Sequence, residues 1–247
     1  MSRIGKLPIK IPKGVQVLFY FMISVLTLTY QRHFLLEEAI QSFLLQNYKN
    51  GEMVIVNDSP NTKYSFEHPQ VKIFNLNERF SSVSKKLEWG FKQCKNEFIY
   101  RLDDDDLLGP DGLQITENFI LKNPGYEVYR PKKHYMFIHN NFEKIGGNVN
   151  NGNVYTKKYI DRIIFPDKSF GEDFDITFKN NSKVYEDDGK PTMIYRWGMN
   201  TYHVSGLGDT PTEKMYKVID EMTKNNTGNF ELKPHFSSDY YKKITYN

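Results

Sequence analysis

Four consecutive carboxylates, Asp103-Asp104-Asp105-Asp106, end an apolar run, Phe98-Ile99-Tyr100-Arg101-Leu102. Adjacent acids repel one another and resist burial in a packed core. They suit either a solvated acidic turn or a site where a cation neutralises them. Hard cations such as Mg²⁺ or Mn²⁺ take one or two carboxylates and complete their shell with phosphate oxygens and water. The turn signal Gly109-Pro110-Asp111-Gly112 follows closely. The four acids alone do not decide between these readings. The elements that present them do.

Ile23-Ser24-Val25-Leu26-Thr27-Leu28-Thr29-Tyr30 is apolar and β-branched, and reads as a buried strand. From Phe34 to Tyr48, Leu35, Leu36, Ala39, Ile40, Phe43 and Leu44 fall at helical spacing. Met53–Val56 and Val71–Phe74 are two further short strands, the first closed by the polar turn Asn57-Asp58-Ser59-Pro60. A helix is expected over Ser84–Cys94 and a fourth strand over Glu97–Leu102. This alternation predicts an α/β fold, a mainly parallel sheet flanked by helices. Ligands of such sheets bind beyond the carboxyl ends of the strands. Thr29, Tyr30 and Arg32 lie there after the first strand, Asn57 and Asp58 after the second, and the acids after the fourth. That convergence favours a cation site.

The second half is less regular. Tyr126 to His139 suggests strands, and Asn140 to Asn153 a loop or hairpin rich in Asn and Gly. A short helix is expected over Tyr155–Ile164, and a helix start at Gly171-Glu172-Asp173, where acids favour the positive end of the dipole. Thr192–Tyr195 reads as a strand and Thr212–Lys224 as a helix.

Bulk properties narrow the field. The 247 residues are 39% hydrophobic, enough for a sizeable core, and the net charge of +3 is too small to argue by itself for a nucleic-acid partner. Cys94 is the one cysteine, which excludes an internal disulfide and a cysteine-rich metal site and points to a reducing, cytoplasmic setting, that of the host if the chain is phage-encoded. The longest apolar run, Val17 to Leu28, is short of the ~20 residues a membrane span needs, so a soluble chain is expected.

Four pieces of this pattern, in order, resemble family-two glycosyltransferases of the GT-A fold. They are Ile23–Arg32, which is similar to that family's opening strand; Val54-Ile55-Val56-Asn57-Asp58-Ser59, similar to its second strand and acidic turn; Glu97–Asp106, similar to its DxD strand; and Phe170-Gly171-Glu172-Asp173, similar to its acceptor-side ED motif. The resemblance runs from about Ile23 to about Ser205. It implies a nucleotide-sugar donor, most simply UDP-linked, contacted by Thr29, Tyr30, Arg32, Asn57 and Asp58. It implies Mn²⁺ or Mg²⁺ held by Asp105, with Asp103 on the ribose or on the metal through water, and Asp106 orienting either. Asp104 belongs to the same donor-binding run and is the member expected to be dispensable. His203 is a candidate third metal ligand or a structural histidine. Asp173, with Glu172 second, is the expected general base for the acceptor hydroxyl, in an inverting displacement. Glu172 and Asp173 also read simply as helix N-terminal acids, and Asp58 as an ordinary turn residue.

The chain departs from the family where relatives carry an Arg-Asn pair before the DxD strand. Here Leu87-Glu88 stands, leaving Lys85 or Lys86 to supply the charge toward the diphosphate.

Residues 1–15 resemble the N-terminus of ribosomal protein L6, so residues 1–21 are expected to be a leader outside the fold. Residues 22–210 are expected to form the glycosyltransferase domain, with a nucleotide-binding half over 22–106 and an acceptor half over 107–210. A helical, basic-aromatic extension follows over 211–247. The expected acceptor is a glycan. A hydroxymethylated base in phage DNA is the other acceptor considered, since Arg130, Lys132, Lys133, His134 and Tyr135, and Tyr240 to Lys243, mix charge with aromatic rings. The competing function is a non-catalytic domain of the same fold that binds a saccharide or nucleic acid.

Overall fold

The computed structural model describes residues 22–138, 141–146, 151–197 and 212–235. The first half runs β1 (Ile23–Thr29), α1 (His33–Leu44), β2 (Gly51–Asn57), β3 (Thr62–Ser65), β4 (Val71–Asn75), α2 (Val83–Gln93) and β5 (Phe98–Arg101). Next come β6 (Leu107–Leu108), α3 (Gly112–Lys122), β7 (Val128–Pro131), β8 (Lys133–Ile138), β9 (Asn141–Gly146) and β10 (Val154–Thr156). The chain continues through α4 (Lys157–Ile160), α5 (Glu172–Phe178), β11 (Val184–Asp187), β12 (Met193–Trp197), α6 (Thr212–Thr223) and β13 (Gly228–Glu231).

The central sheet has the order β11-β7-β10-β5-β1-β2-β4. Its neighbours pair in parallel except at β10, which is antiparallel to both β5 and β7. β1 is buried along almost its whole length, as a strand covered on both faces must be. Ile23 and Val25 join Leu36, Ala39 and Ile40 of α1 and Leu113 and Phe119 of α3 on one face. Leu26 joins Leu87 and Phe91 of α2, Tyr159 of α4 and Ile176 of α5 on the other. Each such side chain, fully buried, contributes about 1.5–3 kcal/mol. Gly90 lets α2 approach closely: a Cβ there would meet Leu26 Cδ1 at 2.8 Å.

Register positions the acids. Thr29 is level with Asn57, whereas β5 ends at Arg101, level with Leu26. The acidic run therefore turns beneath the projecting end of β1, and the Leu102 N–H donates to the Leu26 carbonyl at 3.0 Å.

The expected helix over Tyr155–Ile164 is only α4. Val154–Thr156 instead fills the slot between β5 and β7, with the Tyr155 ring packed edge-on against Phe91. The Thr156 hydroxyl then caps α4 by accepting from the Tyr159 N–H at 3.3 Å. The region expected as loop or hairpin contains β9, paired with β8 in a second sheet ordered β6-β12-β8-β9.

Elements that follow the expected boundary at residue 210 contact the first half of the chain. β13 pairs in parallel with β3, and the Asn226 side chain donates to the Gln31 carbonyl at 3.0 Å. Among the described residues no helix is long and apolar enough to cross a membrane. The leader, His203 and Tyr240 to Lys243 lie outside the described residues.

Candidate active site

The strand ends of β1, β2 and β5, the start of α5 and the inner face of α6 enclose a cavity of about 490 Å³. Thr29, Tyr30, Arg32, Asp58, Lys86, Asp103, Asp105, Glu172 and Asp173 all line it. Gln31 makes this possible. Its backbone is left-handed, φ 55°, which costs a non-glycine residue about 1 kcal/mol, and it turns the chain so that Tyr30 and Arg32 both face inward. Gln31 is held there by its amide, which donates to Ser59 Oγ at 3.0 Å and accepts from Thr223 Oγ1 at 2.6 Å.

The four acids separate in environment. Asp103 and Asp105 line the cavity. Asp103 Oδ1 accepts from Arg101 Nε at 3.2 Å, and Asp105 Oδ2 from Arg32 Nη1 at 3.1 Å. Asp106 is buried, accepting from the Arg196 backbone N–H at 2.8 Å and from the Asn151 amide. Burial pushes its carboxyl well above the usual range. Asp103, Asp105 and Asp106 each offer an oxygen within 4.8 Å of the others. This all-carboxylate set of hard oxygens fits Mg²⁺ or Mn²⁺, and two of its members open to space where phosphate oxygens and water can complete the shell.

Asp104, expected to be dispensable, is fully buried. It is paired with Arg32, which donates through Nε at 3.1 Å and through Nη2. Burial raises its carboxyl to about 6, outweighing Arg32. Asp104 does not line the cavity. It holds the same guanidinium that donates to Asp105. Arg32, expected on the donor, is already shared between these two carboxylates.

At the β2 end of the cavity, Asp58 is ion-paired with Lys86 and accepts from the Phe80 N–H at 3.1 Å. Lys86 also donates to the Thr29 carbonyl at 2.7 Å, and burial lowers its pKa. Of the two lysines weighed for the diphosphate, Lys86 thus reaches the cavity bound to Asp58. Lys85 points away, paired with Glu88 at 3.0 Å. Asn57 does not line the cavity; its amide donates to the Thr62 carbonyl and to Asn75 Oδ1, at 2.7 and 3.0 Å.

At the opposite end, α5 begins after Gly171, whose φ of 63° suits glycine. Glu172 and Asp173 differ sharply. Glu172 is buried and ion-paired with Arg101 Nη2 at 3.2 Å, and burial raises its pKa. Asp173 is half-buried and, among the described residues, accepts from the adjacent Phe174 N–H at 2.7 Å. Arg101 therefore ties the acidic run to α5 through Asp103 and Glu172.

Sequence reasoning did not select Arg79, Arg101, Asn151, Tyr195 or Tyr216, which also line the cavity. A charged residue ending the apolar β5 was a visible signal for Arg101. Arg79 and Tyr216 lie in segments without one.

The profile of the family described as Glycosyl transferase family 2 matches residues 24–177, well over half of the chain. The chain belongs to that family. An uncharacterized glycosyltransferase of Rickettsia felis is 29% identical over 147 residues, covering 54% of this chain and 24% of that protein. The UDP-Glc:alpha-D-GlcNAc-diphosphoundecaprenol beta-1,3-glucosyltransferase WfgD of Escherichia coli is 25% identical over 133 residues, 52% of this chain and 48% of that protein. The chain thus spans less than half the length of these relatives. Among solved structures, S. aureus TarS 1–349 in complex with UDP-GlcNAc superposes with a TM-score of 0.61 at 17% identity, over 81% of this chain and 65% of that one. The fold is GT-A, as the sequence led one to expect.

Proposed function

We propose that this chain transfers a sugar from a nucleotide-linked donor, UDP-linked, to an acceptor hydroxyl, with inversion at the sugar carbon and dependence on Mn²⁺ or Mg²⁺. The observation that carries this reading is one cavity lined by Asp58, by the cation-ready pair Asp103 and Asp105, and by the half-buried Asp173. Tyr30 and Asp58 hold the nucleoside at one end, and Asp103 and Asp105 would hold the cation, which when bound would supply neutralisation of the charge that grows on the leaving diphosphate. Asp173 takes the acceptor proton as the acceptor oxygen bonds to C1 and the C1–O bond to the diphosphate breaks. Glu172, engaged with Arg101, orients rather than accepts.

The acceptor is a glycan or a lipid-linked saccharide. The basic-aromatic stretch weighed for DNA gives that alternative little support. Arg130 is buried and paired with Glu186, Lys132 pairs with Glu186 and Lys133 with Asp188, and His134 is buried. The test is UDP release from UDP-sugars with Mn²⁺. Release by the native chain that is lost in folded Asp105→Ala and Asp173→Ala supports the reading. Equal release in both variants removes the site assignment, and no release from any donor favours a non-catalytic binding domain.

A further inference from the structure

The α5 end of the cavity opens onto an apolar surface. Phe170 and Phe174, which flank Glu172 and Asp173 in the chain, both line the cavity. Phe178 carries the surface one helical turn outward, its ring 5.1 Å from that of Phe174. The three residues are 37%, 49% and 37% exposed. Exposed apolar side chains scattered singly need no explanation, but a group of them beside a cavity marks a surface that something covers. Phenylalanine has no polar tip for water or for a sugar hydroxyl, so the strip suits a hydrocarbon partner. Its flank is basic. Lys168 and Lys179 lie 2.6 and 2.7 Å from the one Asp175 carboxylate, two ammonium groups to one acid, and the Lys179 side chain is mostly exposed.

We propose that Phe170, Phe174 and Phe178 insert into the headgroup boundary of an anionic bilayer, with Lys168 and Lys179 toward its phosphates, so that Asp173 faces the membrane surface from which the acceptor arrives. This rests on the reading of Asp173 as the acceptor-side base, and it selects the lipid-linked acceptor. Whatever covers the strip must leave the cavity open. Phe174 follows Asp173 directly, so a folded partner seated on the strip would obstruct the approach to that carboxylate. The fluid boundary of a bilayer yields, and it delivers an acceptor to the same place. The seven residues of α5 lie in the plane of the boundary with their apolar side inward and lysines at the flank, the arrangement of an interfacial helix.

The experiment is flotation of the whole chain with vesicles of equal parts phosphatidylglycerol and phosphatidylcholine, and with vesicles of phosphatidylcholine alone. The native chain is expected to float with the first and more weakly with the second. Phe178→Ser, whose ring does not line the cavity, is expected to weaken vesicle binding roughly 5- to 30-fold, the worth of returning the exposed part of one ring to water. The double variant Phe174→Ser, Phe178→Ser is expected to weaken it further. Lys179→Gln is expected to weaken binding to the anionic vesicles roughly 2- to 5-fold and to leave phosphatidylcholine binding unchanged. Leu121→Ser is the control: Leu121 is 59% exposed and lies with Glu97 and Phe98 at the far end of β5, and its loss is expected to change nothing. A native chain that floats with neither vesicle, or a folded double variant that floats as the native chain does, would overturn the proposal. So would a loss in Leu121→Ser equal to that in Phe178→Ser, or a native dimer in sedimentation that Phe178→Ser converts to monomer, which would assign the strip to a second copy of the chain. UDP release separates this proposal from the reading it rests on. A native chain that floats but releases no UDP from any donor overturns the transferase reading, and one that releases UDP but does not float overturns the docking alone.

Discussion

At the nucleotide end of the cavity each carboxylate that faces inward is held by a cation: Asp58 by Lys86, Asp103 by Arg101 and Asp105 by Arg32. At the α5 end, proposed for the acceptor, Asp173 accepts, among the described residues, from the neighbouring backbone N–H. Phe170, Phe174 and Phe178, on or just before α5, are each more than a third exposed. The first arrangement spends burial on geometry. Taking Asp58 and Lys86 out of water is costly, and that is compensated only if both stay in register with the backbone carbonyl and N–H they also engage. The second leaves a carboxylate wetted and free to accept a proton. The difference follows from what each end must meet. A nucleoside diphosphate and a divalent cation have fixed charge and shape, so a rigid lattice of ion pairs matches them. The acceptor hydroxyl has to arrive, lose a proton and leave.

The largest effect that can break this contrast is kinetic. Asp173→Asn is expected to lower kcat by roughly 10²- to 10⁴-fold, the range for a lost general base, with UDP affinity unchanged. A matching loss of UDP affinity would show that Asp173 belongs to the donor lattice after all. Next is thermodynamic. Lys86→Met leaves Asp58 buried without its cation and is expected to cost about 3–5 kcal/mol in urea unfolding, whereas the exposed pair Lys92–Glu88 lost in Lys92→Met is expected to cost less than about 1 kcal/mol.

A third test concerns His134 in β8, in the acceptor half. Burial, helped by Arg130, lowers its pKa to about 4. The folded chain then keeps His134 neutral where the unfolded chain, with an ordinary value near 6.5, takes up a proton. Stability due to this group is therefore intact above about pH 6.5 and lost as pH falls toward 4, by up to roughly 3 kcal/mol. Urea unfolding of native and His134→Gln chains across that interval should show the variant with the shallower decline. The smallest expected effect is at Phe174. Phe174→Ser should change stability by no more than about 0.5 kcal/mol, as befits an exposed side chain, and should leave UDP binding intact.

Much of the donor half was legible in the sequence because continuous apolar runs and helical spacing are local signals. β1, β2, β4, β5, α1 and α2 fall where those patterns put them, and Asp103, Asp105, Asp58 and the start of α5 meet in one cavity. What was not legible is set by partners distant along the chain. Asp104 looked like a spare acid because nothing nearby shows that Arg32 binds it. Lys85 and Lys86 are adjacent, and only the helix phase decides that Lys86 turns inward. β10 is three residues long, too short for a periodic signal, and its strand form comes from the unfilled edges of β5 and β7. For α3 the apolar residues Leu113, Phe119 and Ile120 fall at helical spacing, but Gly112 read as part of a turn. Its glycine serves packing instead, since a Cβ would lie 2.2 Å from the Thr192 carbonyl oxygen.

The central claim is that Asp105 holds a divalent cation on the donor diphosphate. Turnover of a UDP-sugar as a function of added Mn²⁺, in the native chain and in Asp105→Ala after exhaustive chelation, tests it most directly. The account predicts that chelated native chain is inactive, that Mn²⁺ restores it along a saturable curve, and that folded Asp105→Ala stays at least roughly 10²-fold below it at every Mn²⁺ concentration. Equal turnover of native chain and Asp105→Ala, or native turnover indifferent to chelation, would contradict it.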